Sequence, residues 1–398
     1  MNVVLHGSGV FAASEHPGAV AVVNRIASGK EPIRRAAIPL VEWNQGHDEE
    51  YRTALHELIA ATVRRPALDS TFTAVQKLAD CPLPAASASV AQALQASDWR
   101  LAMVAVEVLG HRRADDTAAA IRKVWNRPEA KRFYALRHTV VCSLGDIGGP
   151  NAVEGLVGLL PDLDGQLKYE AVARLTLRTG ENHGSDVIAW KEWWTAQDGV
   201  VPDVPVAANE ELPVDLPWQR ALPRFFNLPI YSQRVVFVLD HSKSMLSTLE
   251  GKPRLEAMQD EFTKVMQRLP EAAAFGMVVF NERVDVWKSA LTPANSSSKS
   301  AAIQSIYSLQ ATGKTAVYDA LEAAIQLDQN IEQIVFLTDG RPTAGKITND
   351  AEIVNAITLL NRYHHIRIDC LGIDTEGPPE ELLKQIAQRN SGTYTRIR

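Results

Sequence analysis

The chain has 398 residues, which at roughly 150 residues per domain corresponds to two or three domains. Hydrophobic residues make up 46% and charged residues 22%, a composition typical of a soluble globular protein and not of a disordered chain. The formal net charge is −6, and neither half of the sequence has the basic excess expected of a dedicated nucleic-acid-binding protein.

The three cysteines, Cys81, Cys142 and Cys370, lie far apart and form no CxxC pair. This spacing excludes a zinc ribbon, a thioredoxin motif and a disulfide-stapled scaffold. No apolar run reaches about 18 residues, so the sequence predicts no membrane span. The amino terminus is a poor signal peptide, which favours a cytoplasmic protein; a start upstream of Met1 would instead allow an extracytoplasmic one.

Residues 1–50 carry little pattern, whereas residues 51–198 are predicted to be helical with an internal repeat. Leu101–Gly110, Leu136–Gly145 and Ala171–Gly180 recur at a spacing of about 35 residues, and each ends in a glycine suited to a helix terminus. A repeated helix pair of this period indicates an α-solenoid, and the region resembles HEAT-like repeats. An irregular helical bundle is the alternative that the sequence leaves open.

The end of the helical region and the segment after it differ in composition. Trp190, Trp193 and Trp194 share one helical face, which favours packing at the end of the array over a ligand-binding aromatic box. Six prolines then fall within residues 199–231, as in an extended linker. The last part of that linker, Phe225–Tyr231, is too apolar for a free tether, so we expect it to pack on the next domain.

Residues 232–398 alternate short apolar strands with amphipathic helices. Because several strands are apolar throughout, the pattern predicts a Rossmann-like α/β domain whose mostly parallel sheet is covered by helices on both faces. The chain is therefore predicted to be multidomain, with an all-α repeat region before this α/β domain. The predicted strands are Val235–Leu239, Phe275–Phe280, Val284–Trp287, Ile334–Leu337, Ile368–Ile373 and Thr393–Ile397.

Three polar loops of this domain are candidates for a binding site. After the first strand, alternation of side chains places Asp240, Ser242 and Ser244 on one side of the chain. The loop Thr312–Thr315 precedes a helix, and Thr338–Gly340 directly follows a later strand. Since open α/β sheets bind ligands at the carboxyl ends of their strands, we expect the loops to meet there. Their all-oxygen donors favour Mg²⁺ or Mn²⁺ over Zn²⁺.

The DxSxS and TDG sequences of these loops resemble the metal-ion-dependent adhesion site, or MIDAS, of a von Willebrand factor type A domain. The resemblance covers the whole α/β region. With its preceding helical region, the chain is similar to bacterial proteins that join such a domain to helical repeats. The resemblance implies that Ser242, Ser244 and Thr315 ligate the cation directly, while Asp240 and Asp339 accept hydrogen bonds from metal-bound water. It also implies that a Glu or Asp of a protein partner completes the coordination.

Two residues depart from the family pattern. Lys243 stands where the family usually has glycine, and His241 is also unusual. An ammonium turned inward to about 4 Å from the cation would cost roughly 4 kcal/mol at an effective dielectric constant near 20. The same alternation of side chains predicts that both residues point outward and line the binding face.

Together these features favour a non-enzymatic adaptor that binds an acidic protein partner through the cation, with the groove of the helical repeats available to a second partner. Two alternatives stay open. Helical repeats joined to an A domain are also similar to Ro-type ribonucleoproteins, for which the basic stretch Arg112–Arg137 is the only support in the sequence. The other alternative is a metal-dependent phosphohydrolase built on Asp240, although such enzymes need a second aspartate where Ser242 stands. A phosphate-binding loop ending in Gly313–Thr315 is disfavoured, because Ser308 stands where that motif needs its earlier glycine.

Overall fold

The computed structural model describes three stretches of the chain, residues 18–65, 68–202 and 222–398. The chain divides into two compact units, Met1–Arg112 and Arg113–Arg398. Most of the predicted linker at residues 199–231 lies outside the described residues. None of the described helices combines the length and the apolar character that crossing a membrane requires.

The described part of the first unit is helical. Short 3₁₀ turns extend three of its helices. The segment before residue 50, which carries little sequence pattern, contains the first two helices. The helices are α1 (Ala19–Ile26), α2 (Glu31–Ala37), α3 (Asp48–Thr62), α4 (Asp69–Lys77), α5 (Ala85–Ala91) and α6 (Trp99–His111).

Helix α6 shows how the sequence produces these elements. The Asp98 carboxylate caps the first turn by accepting the Arg100 amide at 3.0 Å, and a nearly continuous buried apolar run follows. Beyond the last turn, the Arg112 guanidinium donates to four backbone carbonyls, those of Leu78, Ala79, Cys81 and Leu83. The first residue of the basic stretch therefore holds its own unit together.

The second unit begins with six further helices. They are α7 (Ala118–Val124), α8 (Pro128–Arg132), α9 (Tyr134–Ile147), α10 (Pro150–Leu159), α11 (Gly165–Thr179) and α12 (Val187–Ala196). In α12 the Trp190 side chain is fully buried and meets Trp193 edge to face, as expected of aromatics that pack rather than bind a ligand.

The repeated glycines have different roles from those predicted. Gly180 does end α11 in the left-handed conformation, with φ 75°. Gly110 and Gly145, however, lie inside α6 and α9, so the prediction that they end helices is wrong. At Gly145 a Cβ atom would overlap the Arg174 side chain, which shows that the close approach of α11 to α9 requires glycine there. The left-handed end of α9 is Gly148 instead.

The rest of the unit is the predicted α/β domain, built on a seven-stranded sheet of order β11-β10-β9-β3-β6-β7 with β8 also beside β6. The first five strands in this order, from β11 to β6, are parallel to one another, and β7 and β8 are antiparallel to β6. The sheet strands are β3 (Arg234–Asp240), β6 (Ala274–Phe280), β7 (Val284–Val286), β8 (Thr292–Pro293), β9 (Gln333–Thr338), β10 (Arg367–Ile373) and β11 (Tyr394–Ile397). The fold class predicted from the alternating pattern is confirmed.

Helices and two small hairpins surround this sheet. The hairpins are β1 (Arg224–Phe225) with β2 (Leu228–Pro229), and β4 (Thr248–Leu249) with β5 (Lys252–Pro253). The helices are α13 (Arg254–Arg268), α14 (Ser296–Tyr307), α15 (Val317–Ile325), α16 (Asp350–Asn361) and α17 (Pro378–Arg389).

Strand β3 runs through the middle of the core and has apolar side chains on both faces. Phe237 joins the cluster formed with α13, α14 and the β1–β2 hairpin, whereas its neighbour Val238 joins the cluster formed with α15, α16 and α17. The hairpin residue Phe225 is fully buried, and its ring lies edge to face with that of Phe237 at a centroid distance of 5.6 Å. Helices thus cover both faces of the sheet.

The amino ends of the strands, here called the amino edge, contact helices α9 and α11 of the same unit. The Tyr134 amide donates to the Gln329 carbonyl at 3.2 Å, and the rings of Tyr169 and Tyr231 stack 3.9 Å apart. Buried Glu332 accepts hydrogen bonds from three groups in this contact, the amides of Gln166 and Gln233 and the guanidinium of Arg234. Only the opposite, carboxyl edge is left for the predicted binding loops.

Candidate metal site

The carboxyl edge is organised around Asp240, the last residue of β3. Its side chain is fully buried because β3 lies between β6 and β9. One carboxylate oxygen accepts the Ser242 amide at 2.7 Å, and the other accepts the hydroxyl of Thr338, the last residue of β9. Asp240 therefore fixes the first loop relative to the end of the neighbouring strand.

The two serines of the first loop lie next to the Asp339 carboxylate. A 3₁₀ turn at Lys243–Leu246 brings the Ser242 and Ser244 hydroxyl oxygens to 3.1 Å from each other. The Ser244 hydroxyl donates to Asp339 Oδ1 at 2.5 Å. The predicted meeting of the first and third loops is thus present in the structure.

Thr315 comes to the same place from the second loop. Its side chain is buried, and its backbone is held by the Thr343 side chain and backbone. A Cβ atom placed on Gly340 would lie 3.5 Å from both the Ser244 and the Thr315 hydroxyl oxygens. The two hydroxyls therefore face the same small space, and all five residues predicted for the site are gathered at one edge of the sheet.

The carboxyl group of Asp240 lacks a nearby positive charge. Burial raises its pKa to about 7, and the neighbouring Asp339 carboxylate adds to this rise, whereas hydrogen bonds from Thr338 and Ser242 oppose it. Among the described residues no Lys or Arg forms an ion pair with Asp240. A cation near the hydroxyls would stabilise the charged form of this carboxyl group.

The sequence analysis missed Arg254, which lies beside the site. Its guanidinium donates from Nη1 to Asp339 at 2.8 Å and from Nη2 to Asp374 at 2.6 Å. Arg254 is the first residue of an amphipathic helix and belongs to no recognisable motif. The only signal for it was a basic residue shortly after the DxSxS sequence.

His241 and Lys243 differ in their placement. Lys243 is exposed, as predicted. His241 is buried, with Nδ1 2.9 Å from the Gln310 carbonyl oxygen, so the prediction that it lines the binding face is wrong. The reason is that pairing continues past the strand: the His241 amide donates to the Phe280 carbonyl, and this places the ring between the loops.

The donors of the site suit a hard cation. They are three hydroxyl and two carboxyl groups, all of which offer oxygen atoms. Over the stretches that the structure describes, no group of three or more His, Cys, Asp and Glu residues is arranged to hold a metal ion. A cation at this edge would therefore depend on the serine and threonine oxygens, as oxygen-seeking divalent cations can.

Comparison with known proteins agrees with this architecture. The sequence profile of the von Willebrand factor type A domain matches residues 233–396. Inter alpha-trypsin inhibitor, heavy chain 4, of Mus musculus is 27% identical over 183 residues, which are 43% of this chain and 18% of that protein. The von Willebrand factor A domain-containing protein 3A of Homo sapiens is 23% identical over 180 residues, 41% of this chain and 15% of that protein. The chain thus spans less than a fifth of these relatives.

Two solved structures, one of them a von Willebrand factor type A protein, match part of this chain. One is from Catenulispora acidiphila, with 24% identity and a TM-score of 0.37, covering 42% of this chain and 38% of that one. The other is proximal thread matrix protein 1 from the mussel byssus with a zinc-occupied MIDAS motif, with 21% identity and a TM-score of 0.33, covering 41% of each chain. The profile match, the sheet order and the loop sequences agree, and residues 233–396 are a von Willebrand factor type A domain.

Proposed function

We propose that this domain binds a divalent cation, Mg²⁺ or Mn²⁺, and through it the side chain of a Glu or Asp in a protein partner. Ser242, Ser244 and Thr315 would ligate the cation, and Asp240 and Asp339 would hold its water. The convergence of these hydroxyls beside two buried carboxyl groups carries the proposal. A bound cation would supply positive charge and a free coordination position to the partner's carboxylate.

The charges around the site support an anionic partner. Lys243, Lys314 and Arg341 are all exposed, and each follows or flanks a proposed ligand in one of the three loops. The described residues offer no ion-pair partner to any of them. This cationic rim, formed by the three residues, would attract an acidic segment and repel a basic one.

The same contacts support a binding function over an enzymatic one. Both carboxylate oxygens of Asp240 are engaged, one by the Ser242 amide and one by the Thr338 hydroxyl. These two hydrogen bonds lower the nucleophilicity of the carboxylate, which counts against the hydrolase alternative, while each oxygen keeps a lone pair that could accept metal-bound water.

Three arginines of the basic stretch make contacts within the chain and are therefore less available to RNA. The Arg112 guanidinium donates hydrogen bonds to backbone carbonyls, and Arg127 pairs with Glu129 at 3.3 Å. Arg137 donates to the Ala130 carbonyl at 2.7 Å. Residues 51–198 remain, as a proposal, a HEAT-like region whose groove would bind a second protein partner.

Thermal unfolding with added Mg²⁺ or Mn²⁺ tests the metal site. A ligand present at about 100 times its dissociation constant adds about 2.7 kcal/mol to the free energy of unfolding. We expect this stabilisation in the wild type and its loss in Ser242→Ala/Ser244→Ala. Ser247→Ala/Thr248→Ala, which changes two exposed hydroxyls of the same loop, is the matched control and should keep it. A wild type that neither cation stabilises would contradict the proposal.

A further inference from the structure

Arg254 connects the candidate site to a second acidic residue outside it. The guanidinium lies between Asp339, whose side chain is fully buried, and Asp374, whose side chain is 52% exposed. The Arg254 side chain itself is 12% exposed, and its Nε is buried without a hydrogen-bond partner in the described part of the chain. A buried cation with one unsatisfied N–H is costly, so its place beside the metal ligands needs an explanation.

Two contacts fix Arg254 relative to the proposed ligands. Asp339 uses one oxygen for the Ser244 hydroxyl and the other for Arg254, so a single carboxylate joins a proposed metal ligand to the guanidinium. The Arg254 amide also donates to the Ser247 carbonyl at 2.9 Å, which ties the start of α13 to the DxSxS loop. The guanidinium therefore cannot leave the site without breaking several contacts.

The formal charges show how Arg254 affects the site. Asp240 and Asp339 contribute two buried negative charges, and Arg254 adds a positive charge beside Asp339. Its other partner, Asp374, is 52% exposed, so solvent screens that carboxylate and it offsets Arg254 only in part. A divalent cation would then leave a net positive charge at the site, which a carboxylate from a partner would neutralise. Without Arg254, the divalent cation alone would neutralise the two carboxylates.

We propose that Arg254 couples the two ligands of this site: it weakens binding of the cation alone and makes tight binding depend on an added carboxylate. The inference rests on the proposed metal-binding function and deepens it. Asp374 moderates the effect, because it shares the positive charge of Arg254. The site would thus bind cation and acidic partner together, and would bind the free cation poorly.

Opposite changes in metal affinity are expected from the two variants. In Arg254→Gln the dissociation constant for Mn²⁺ alone should fall by roughly tenfold, because a positive charge within a few ångströms is gone. In Asp374→Asn it should rise by a few-fold, because the charge of Arg254 is no longer shared. Lys264→Gln, a change at an exposed position on the same helix, is the matched control and should leave it unchanged.

The experiment is a Mn²⁺ titration of the full chain, followed by the electron paramagnetic resonance signal of free Mn²⁺, with and without acetate at constant ionic strength. Acetate is the carboxylate probe. In the wild type acetate should lower the dissociation constant for Mn²⁺. In Arg254→Gln the dissociation constant without acetate is already about tenfold lower, so the further decrease caused by acetate should be smaller by about the same factor. Arg254→Lys, which keeps the charge, should behave like the wild type.

Two results would overturn the inference. Weaker Mn²⁺ binding in Arg254→Gln would show that the guanidinium only positions Asp339, and an acetate effect equal to that of the wild type would show no coupling. If Arg254→Gln does not fold, Asp374→Asn decides alone, since an unchanged or lower dissociation constant there contradicts the charge argument. A wild type that binds no Mn²⁺ with or without acetate would overturn the proposed function itself, and this inference with it.

Discussion

Glu332 at the amino edge of the sheet and Asp240 at the carboxyl edge are both fully buried acids, but their surroundings differ. Burial raises the pKa of each carboxyl group. At Glu332 the Arg234 guanidinium opposes the rise, and two backbone amides add hydrogen bonds. At Asp240 the neighbouring Asp339 carboxylate adds to the rise.

The comparison indicates what each edge is for. Where the chain supplies its own cation, as at Glu332, the acid closes a contact between helices and sheet and has nothing left to bind. Asp240 has no Lys or Arg paired with it among the described residues, so a cation bound near the hydroxyls would stabilise its charged form. A buried acidic residue is therefore structural at one edge and, as we propose, functional at the other.

The largest expected effect is on stability at the amino edge. Glu332→Ala should lower the free energy of unfolding by about 3 kcal/mol, because it removes the closest partner of Arg234 and the acceptor of two backbone amides, of which that of Gln166 is buried. Urea denaturation would measure this, with Glu376→Ala as the control, since Glu376 pairs with Arg396 but is 77% exposed. If Glu332→Ala changed Mn²⁺ affinity as strongly as stability, the division between the two edges would be wrong.

The corresponding change at the carboxyl edge should act on binding and spare stability. Asp240→Asn keeps an acceptor for the Ser242 amide and removes a buried charge, so the free energy of unfolding without metal should change by about 1 kcal/mol or less. Affinity for Mg²⁺ or Mn²⁺ should fall by about 100-fold, since one of two carboxylates is lost. A large loss of metal-free stability would instead show that Asp240 is structural, like Glu332.

The smallest expected effect concerns the cationic rim. Replacing Lys243, Lys314 or Arg341 singly by Gln should weaken Mg²⁺-dependent binding of a hexaglutamate peptide by about 0.2–1 kcal/mol each. The loss should shrink at high salt, because these charges are exposed to solvent. Fluorescence anisotropy of the labelled peptide at two salt concentrations would measure it, and EDTA should abolish binding altogether. If the peptide still bound in EDTA, the cationic rim would bind acidic segments independently of the metal site, which contradicts the proposed function.

The parts of the molecule that could be predicted are those encoded over short stretches of sequence. The central strands β3 and β9 contain the apolar runs Val235–Leu239 and Ile334–Leu337. Asp240 and Asp339 lie just after these runs, so the topology of a parallel sheet was enough to bring them together. His241 was placed wrongly because strict alternation of side chains was assumed past the end of β3, where strand pairing in fact continues for one residue.

Contacts between distant residues left no such signal. Arg254 reaches Asp374 across 120 positions, and Glu332 reaches Gln166 across 166. Neither pair belongs to a sequence motif, and each contact forms only because distant elements pack against each other, so neither could be predicted from the sequence. Gly145 is a smaller case, since a glycine required by the approach of α11 looks in sequence like a glycine that ends a helix.

Strand β3 joins the two edges directly. Arg234, at its first residue, binds Glu332 in the contact with the helices, and Asp240, at its last, lies under the proposed metal ligands. At about 3.3 Å per residue, a seven-residue strand in the middle of a sheet is a spacer of about 20 Å that hardly stretches or bends. A protein held by α9 and α11 and another held at the cation would therefore be kept at a fixed separation, with no linker between them to vary it.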